Sequence, residues 1–425
     1  MRNLARLALC AALFATSVAR ADPPAAPAIA RVTFADAVAR ALRANPTVAG
    51  ALAQVRRAEA LVTQARAGLI PTVTANAVYT RLDADRTLND RVISGANQLS
   101  ANAQVTVPLV ALRPWTALGR AGLQVDAARA TVDDARRAVA VATARAYLAV
   151  SSQHRIIATT ERSLANATAH RDFASARLDG GIGNRLDVVR AAQDAATITA
   201  TRAAQRAALA RMQEALGVLV GVDAPLDAVE DINPGAPPPL EGALAGSRAR
   251  SDVRATAARA QVADRAVRDL WAEYTPTLAA VFQPFYQNPA TLTQPLTGWQ
   301  AQVIFSWSLF DGGARYGVAR ERGALRDEAY AQLEATLRQA RSEVRTAFAA
   351  IREADAAAEA SREAATLADE ALDLADTAYR AGATGNLEVI DAQRRARDAR
   401  ASANSADDAA REARLNLLIA SGRFP

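Results

Sequence analysis

Apolar residues along this chain keep two different periods, and each half of the chain shows them in the same order. From Thr72 to Leu82 and from Gln302 to Phe310 apolar and polar residues alternate, the period of a strand with one apolar face. In the second stretch Val303, Phe305, Trp307 and Leu309 share one face, and Gln302, Ser306 and Ser308 the other. Ile304 is the exception. Polar, turn-rich segments, "DADRTLNDRVISGANQ" and "QNPATLTQPLTG", lie beside these stretches. The pattern predicts two hairpins, with strands at about 72–82 and 99–110 and at about 277–287 and 298–310.

After each predicted hairpin the period lengthens. Val125, Ala128, Val132, Ala135, Val139, Ala142, Ala146 and Ala149 alternate by three and four. The second half keeps the same rhythm from Leu333 and Leu337 to Ala375 and Tyr379, with Ser361 the one weak position. A 3.5-residue period held this long predicts helices wound around one another. No proline falls between Pro114 and Pro225, or between Pro295 and Pro425. Helices are therefore predicted at about 115–179, 185–220, 315–380 and 386–421, the first roughly 95 Å long at 1.5 Å per residue. Alanine at so many inward positions lets helix axes approach closely but buries little area per turn.

The landmarks recur about 200 residues apart, which marks a duplication. Leu186-Asp187-Val188-Val189 answers to Leu387-Glu388-Val389-Ile390, and Val105, Val107 and Leu109 to Phe305, Trp307 and Leu309. Helical stretches, Pro46 to Gly68 and Asp252 to Tyr274, precede the two hairpins. This gives an N-terminal segment at 22–32, repeat one at 33–221, a Pro- and Gly-rich connector at 222–240 and repeat two at 241–425.

The first 21 residues read as a secretory signal peptide. Arg2 and Arg6 precede an apolar run from Leu7 to Val18, Ala19-Arg20-Ala21 fits a small-x-small cleavage site, and Asp22-Pro23-Pro24 stops any helix. The one cysteine, Cys10, lies in that run and follows Leu9, a poor context for a lipid anchor. The formal charge of +6 falls to +3 once Arg2, Arg6 and Arg20 are removed. All the positive charge is arginine, interleaved with acids along the helices as on solvated helix faces, which argues against a nucleic-acid partner.

Candidate chemistry is sparse. His154 and His170 lie on one predicted helix without an acidic cluster nearby and read as surface residues. There is no metal-ligand spacing, Gly-x-Ser-x-Gly phrase or phosphate loop; Gly312-Gly313 reads as a turn from strand to helix. No enzyme activity, cofactor or metal is expected.

The strands carry more information. Four strands are too few for a membrane barrel, and an open sheet in lipid leaves edge groups unpaired at several kcal/mol each. If the strands enter a membrane, chains must associate; two, three or four copies give eight, twelve or sixteen strands. Joined to helices of this length, such a barrel continues as a helical tube, a duct.

Each repeat also interrupts its helices with glycines. Gly180-Gly181-Ile182-Gly183 and Gly382-Ala383-Thr384-Gly385 predict tight helix–helix turns, with Asn184 and Asn386 as caps of the following helices. Asp187 and Glu388 fall in the next first turns, where the helix dipole favours acids.

With these features in place, the chain resembles the TolC family of outer-membrane efflux proteins. The resemblance rests on the signal peptide, "FADAVARALRANP" at Phe34–Pro46, "SWSLFDGG" at Ser306–Gly313 and the two tips, "DGGIGNRLDVVRAAQ" and "RAGATGNLEVIDAQ". It covers both repeats. It implies a homotrimer: a twelve-stranded barrel in the outer membrane, four strands per chain, continuous with a periplasmic α-barrel of long antiparallel coiled-coil helices. It also implies partners, a periplasmic adaptor and an inner-membrane transporter of an efflux or type I secretion system. By the same resemblance, the tips from Arg177 to Leu186 and from Arg380 to Leu387 meet the adaptor. They contain Gly180, Gly181, Gly183, Arg185, Gly382 and Gly385. Glu388 and Asp391 match acids that form a carboxylate ring at the narrowest part of the tube, and Asp187 and Tyr379 match positions that hold the closed state. Thr384 stands where some relatives place a basic partner, so a latch here would fall to Arg185 or Arg380. Cargo is not legible. The rival reading is a secreted or periplasmic coiled-coil scaffold or adaptor without a pore, but an adaptor is expected to have one helical hairpin, not two.

Overall fold

The computed structural model describes residues 29–88, 91–230, 232, 235–290 and 295–424. The expected signal peptide lies outside them. Repeat one opens with β1 (Ala30–Val32), α1 (Phe34–Ala44) and α2 (Pro46–Ala67). It continues through β2 (Thr72–Arg81), a short hairpin of β3 (Arg86–Leu88) and β4 (Arg91–Ser94), and β5 (Asn97–Val110). Two long helices follow, α3 (Leu112–Asp179) and α4 (Arg185–Val220), and then β6 (Leu226–Ala228). Repeat two contains α5 (Leu240–Ser247), α6 (Ser251–Arg268), β7 (Thr277–Asn288), β8 (Thr297–Ser306), α7 (Ala314–Arg380) and α8 (Asn386–Ala420). Between α6 and β7 the chain tightens into a 3-10 helix, Asp269–Tyr274, where the sequence suggested one unbroken helix.

The four long strands form one antiparallel sheet in the order β2-β5-β7-β8, which leaves β2 and β8 as open edges. Its register sorts the side chains into two faces. Val73 pairs with Val105, Val105 with Phe282, and Phe282 with Ala301. Stepping by two from that row gives Val303, Phe305, Trp299, Ala280, Leu278, Val107, Ala103, Ala77 and Tyr79, an almost wholly apolar face. The other face carries Thr74, Asn76, Asn102, Gln104, Gln283, Gln300 and Gln302. Those side chains bond across strands, Gln300 to Gln283 at 2.7 Å for example. Ile304 lies on this polar face. Val73 and Val303 on the other are about 70% exposed, so none of the described residues covers the apolar side there.

β8 stops at Ser306, four residues short of the sequence expectation. The reason is local. The Trp307 indole donates to the Tyr274 carbonyl, and Asp311 accepts from the backbone N–H groups of Gly313 and Arg315, which starts α7. Trp307, Leu309 and Phe310 remain exposed at this junction. The β3–β4 hairpin was not legible in a segment that reads as polar turn.

The long helices keep heptads in their burial. Along α7 the inward residues Val344, Ile351, Ala358, Ala365, Leu372 and Tyr379 recur every seventh position, and along α8 so do Val389, Ala396, Ala403, Ala410 and Leu417. α3 carries one register through Val125, Val132, Val139, Gln153, Thr160, Ala167 and Ala174. Its 68 residues span roughly 100 Å.

The densest packing lies partway along α3. The connector that reads as a linker contains β6, which pairs in parallel with β1. Tyr147 is fully buried beneath them; its hydroxyl donates to the Val32 carbonyl and accepts from the N–H groups of Val229 and Glu230. Val150, Leu216, Val220 and Leu226 complete that core, and Ala140, Ala144, Leu148 and Leu415 form the adjoining one. Asn45 fixes the bend between α1 and α2, since its side chain caps Thr47 and donates to the Leu219 carbonyl. Arg250, almost wholly buried, grips Asp252 and Glu343 and so ties α6 to α7.

Candidate functional site

The two helix–helix turns end their first helices in the same way. Gly181 and Gly382 adopt left-handed backbone, with φ of 76° and 77°. The Ile182 N–H donates to the Arg177 carbonyl and the Gly181 N–H to that of Leu178; in the second turn Ala383 donates to Ala378 and Gly382 to Tyr379. This pair of bonds satisfies the last carbonyls of each helix and requires a residue that tolerates positive φ.

Beyond that shared stop the turns diverge. At Gly183 an added Cβ would lie 2.5 Å from the Leu178 nitrogen, so the chain passes too close for any other residue. The corresponding residue, Thr384, has a side chain, so the second turn stands further off. In the first turn Asn184 caps α4 by accepting from the Leu186 N–H at 3.0 Å. In the second, Gly385 takes the cap position without a side-chain bond. Asn386, expected to be that cap, is instead the first residue of α8 and is buried. Its side chain turns inward, where the amide donates to the Asp187 carbonyl at 3.2 Å and the oxygen meets His170 Nε2 at 2.5 Å.

Around this contact the ends of α3 and α7 brace each other. Arg177 on α3 lies 5.0 Å from the ring centroid of Tyr379 on α7, and Arg380 on α7 lies 5.6 Å from that of Phe173 on α3. The Phe173 and Tyr379 rings meet edge to face at 5.9 Å, and His170 lies 5.5 Å from Tyr379. Cation–π contacts of this kind contribute about 0.5–1 kcal/mol each at exposed sites and more when desolvated. Tyr379 is buried, whereas Arg185, Leu186, Arg380, Gly382 and Leu387 are exposed. Arg380 also pairs with Asp376 on its own helix at 2.8 Å, and the side chain that reaches Asp187 is Asn386 rather than an arginine.

The two acids sit on one flank of α8. Glu388 is exposed in the first turn, and Asp391, one turn on, is half-buried. Asp391 is bound by Arg395 at 2.7 Å, a partner the sequence reading missed although it lies one helical turn away. Glu388 is therefore the less compensated charge of the two.

The histidines also differ from their sequence reading. His170 is 5% exposed, and His154 bonds Asp227 at 2.6 Å across the β1–β6 strands. Burial tends to raise the Asp227 pKa, but hydrogen bonds from His154 and Gln213 outweigh it and hold this carboxyl below the usual range. Both histidines lie on or beside the continuation of the inward stripe beyond Ala149, and the distant pairing partners, Asn386 and Asp227, mark them as structural.

Among the described residues no helix is long and apolar enough to cross a membrane, and no group of three or more His, Cys, Asp or Glu is placed to hold a metal. The apolar face of the sheet lies at the opposite end of α3 from the turns.

Comparison with known proteins gives a consistent answer. The family model described as "Outer membrane efflux protein" matches residues 37–222 and 247–423. No curated protein matches the sequence. Among solved structures the fold is similar to the outer membrane protein VceC of Vibrio cholerae, with TM-score 0.77 and 20% identity over 92% of this chain and 96% of that one. It is also similar to the Campylobacter jejuni CmeC outer membrane channel, with TM-score 0.78 and 14% identity over 92% and 85%. The open state of the Neisseria gonorrhoeae MtrE outer membrane channel gives 0.75 and 20%, over 92% and 88%. With both repeats matched and the fold shared along nearly its whole length, this chain belongs to the outer membrane efflux protein family, a channel of the outer membrane with a large helical periplasmic part.

Proposed function

We propose that three copies of this chain close a gated export duct, which passes cargo from an inner-membrane transporter and its periplasmic adaptor to the outside. The observation that carries this reading is the sheet. One face is apolar and bare, the other is polar and cross-bonded, and both edges are open. In lipid each unpaired edge group costs several kcal/mol, so β2 of one copy and β8 of the next pair to mutual advantage. Three copies give twelve strands, with the glutamines and asparagines lining water and Val303, Phe305 and Val73 facing acyl chains. A pore-free scaffold has no use for such a sheet.

The helices then continue the barrel as a tube that narrows at the turns. There the tips, Arg177 to Leu186 and Arg380 to Leu387, form the adaptor surface, with Tyr379 and Asp187 among the residues that hold the end closed. Glu388 and Asp391, repeated by three-fold symmetry, make two carboxylate rings that attract cations. Arg395 offsets the Asp391 ring, so Glu388 dominates. Reconstituted channels should lose most of their block by multivalent cations in Glu388→Ala and little more when Asp391→Ala is added. Unchanged block in the double variant would remove the acids from the constriction.

A further inference from the structure

His170 is a buried group that the duct reading leaves without a role. It lines a cavity of about 180 Å³ with Asn166, Phe173, Asp373, Asp376 and Arg380. The Asn386 amide nitrogen donates to the Asp187 carbonyl, so its oxygen is the acceptor toward His170 and Nε2 must carry the proton. The other ring nitrogen, Nδ1, which in a neutral ring is a bare lone pair, is buried without a hydrogen-bond partner. One imidazole proton thus links α3 to α8, and the same amide carries the link on to α4. Both tips are pinned by two hydrogen bonds through one asparagine.

We propose that His170 and Asn386 form a proton-sensitive pin that keeps the periplasmic end closed when the imidazole is neutral. The proposal rests on the gated-duct reading. A second proton on the ring creates a charge and an N–H donor at Nδ1, where the present geometry offers no acceptor. The charged groups that line the cavity with the ring are Asp373, Asp376 and Arg380 from α7, with Arg177 from α3 beyond the Tyr379 ring; α4 contributes the Asp187 backbone carbonyl. From α8 come the neutral Asn386 and Gln393. Asp376 is already held by Arg380, which makes Asp373 the carboxylate available to an imidazolium. Turning toward Asp373 satisfies the new donor and breaks the bond to Asn386, which frees the contact between α8 and α4. Acid unpins the tips.

The test uses the full mature protein in lipid bilayers, compared at about pH 7.5 and about pH 5.5. Wild-type conductance should rise several-fold on acidification. His170→Gln, which keeps a donor but takes no proton, should stay at the neutral-pH level throughout, and Asn386→Ala should be open at both pH values. Hydrogen exchange of the tip amides, corrected for its intrinsic pH dependence, supplies a second readout that needs no current. Tip exchange that accelerates in acid in wild type but not in His170→Gln supports the pin, even if no variant conducts; that last result would overturn the duct alone. An acid response of equal size in wild type and His170→Gln, by either readout, overturns the pin.

Discussion

Helices α3 and α7 are almost the same length, 68 and 67 residues, and occupy the same place in the two repeats, yet they are held differently. α3 is enclosed on several sides between Val139 and Gln153, where Val139, Ala140, Thr143, Ala144, Tyr147, Leu148, Val150, Ser151 and Gln153 are all buried. α7 buries one residue per heptad from Val344 to Tyr379 and leaves Leu367 and Leu374 well exposed. Beyond its ties to α6 at Glu343 and to α5 near Ile351, α7 packs on α8 with this one stripe, which leaves spare flanks. In the proposed wall of side-by-side helices each member needs two seams, and the bare flank of α7 offers the second. α3 is where the protomer packs most densely on itself; in the proposed duct α7 carries the surface for another copy.

Substitutions sort along that contrast. The largest loss within the protomer should come from Tyr147→Ala, which empties a fully buried aromatic site and orphans the N–H groups of Val229 and Glu230. About 3–5 kcal/mol should be lost in urea unfolding. An unchanged midpoint would mean that the β1–β6 strands do not depend on α3. Next is Val303→Arg on the bare face of the sheet, expected to cost about 2–4 kcal/mol in lipid near mid-membrane. Gln302→Arg, one residue away on the polar face, should be tolerated, and membrane assembly of the pair reads the difference.

A smaller effect appears in acid. Asp227 and Asp252 both sit below the usual carboxylate range: burial opposes this in each, but bonds from His154 and Gln213 hold the first and Arg250 the second. Their stabilising contribution is therefore present above the unfolded value of about 4 and lost as pH falls through the lower folded values. Asp227→Asn should flatten part of that acid loss in urea midpoints; an identical acid slope would show that the carboxylate contributes nothing. The smallest protomer effect belongs to Leu367→Glu with Leu374→Glu, within about 0.5 kcal/mol because both sites are exposed. The same pair should nevertheless prevent copies from associating, as read by native mass, and normal association would remove this flank from the interface.

Most of this contrast was visible in the periodicity. The heptads from Val344 to Tyr379 and the alternation at Val303 and Phe305 name their own faces, because each period maps to one direction in space. Gly181 and Gly382 could be read as helix stops because positive φ leaves few other residues. What stayed hidden depended on partners distant in sequence. Nothing local to Asp227 announces His154, and Leu226 to Ala228 is too short to read as a strand without Ala30 to Val32 beside it. Asn386 was misread because an asparagine before an apolar run suits a cap; the two turns have the same length, but the asparagine of the second stands one residue later, which leaves the cap position to Gly385. The end of β8 at Ser306 was missed because Trp307 and Leu309 continue the alternation while Asp311 has already begun the helix.

The central claim is that one copy cannot close its own sheet. The most direct measurement is the mass of the purified mature chain extracted from membranes, taken together with the current it passes across a planar bilayer. The account predicts a three-copy particle that dissociates on heating and conducts ions. A folded single copy, stable in plain buffer and passing no current, would contradict it.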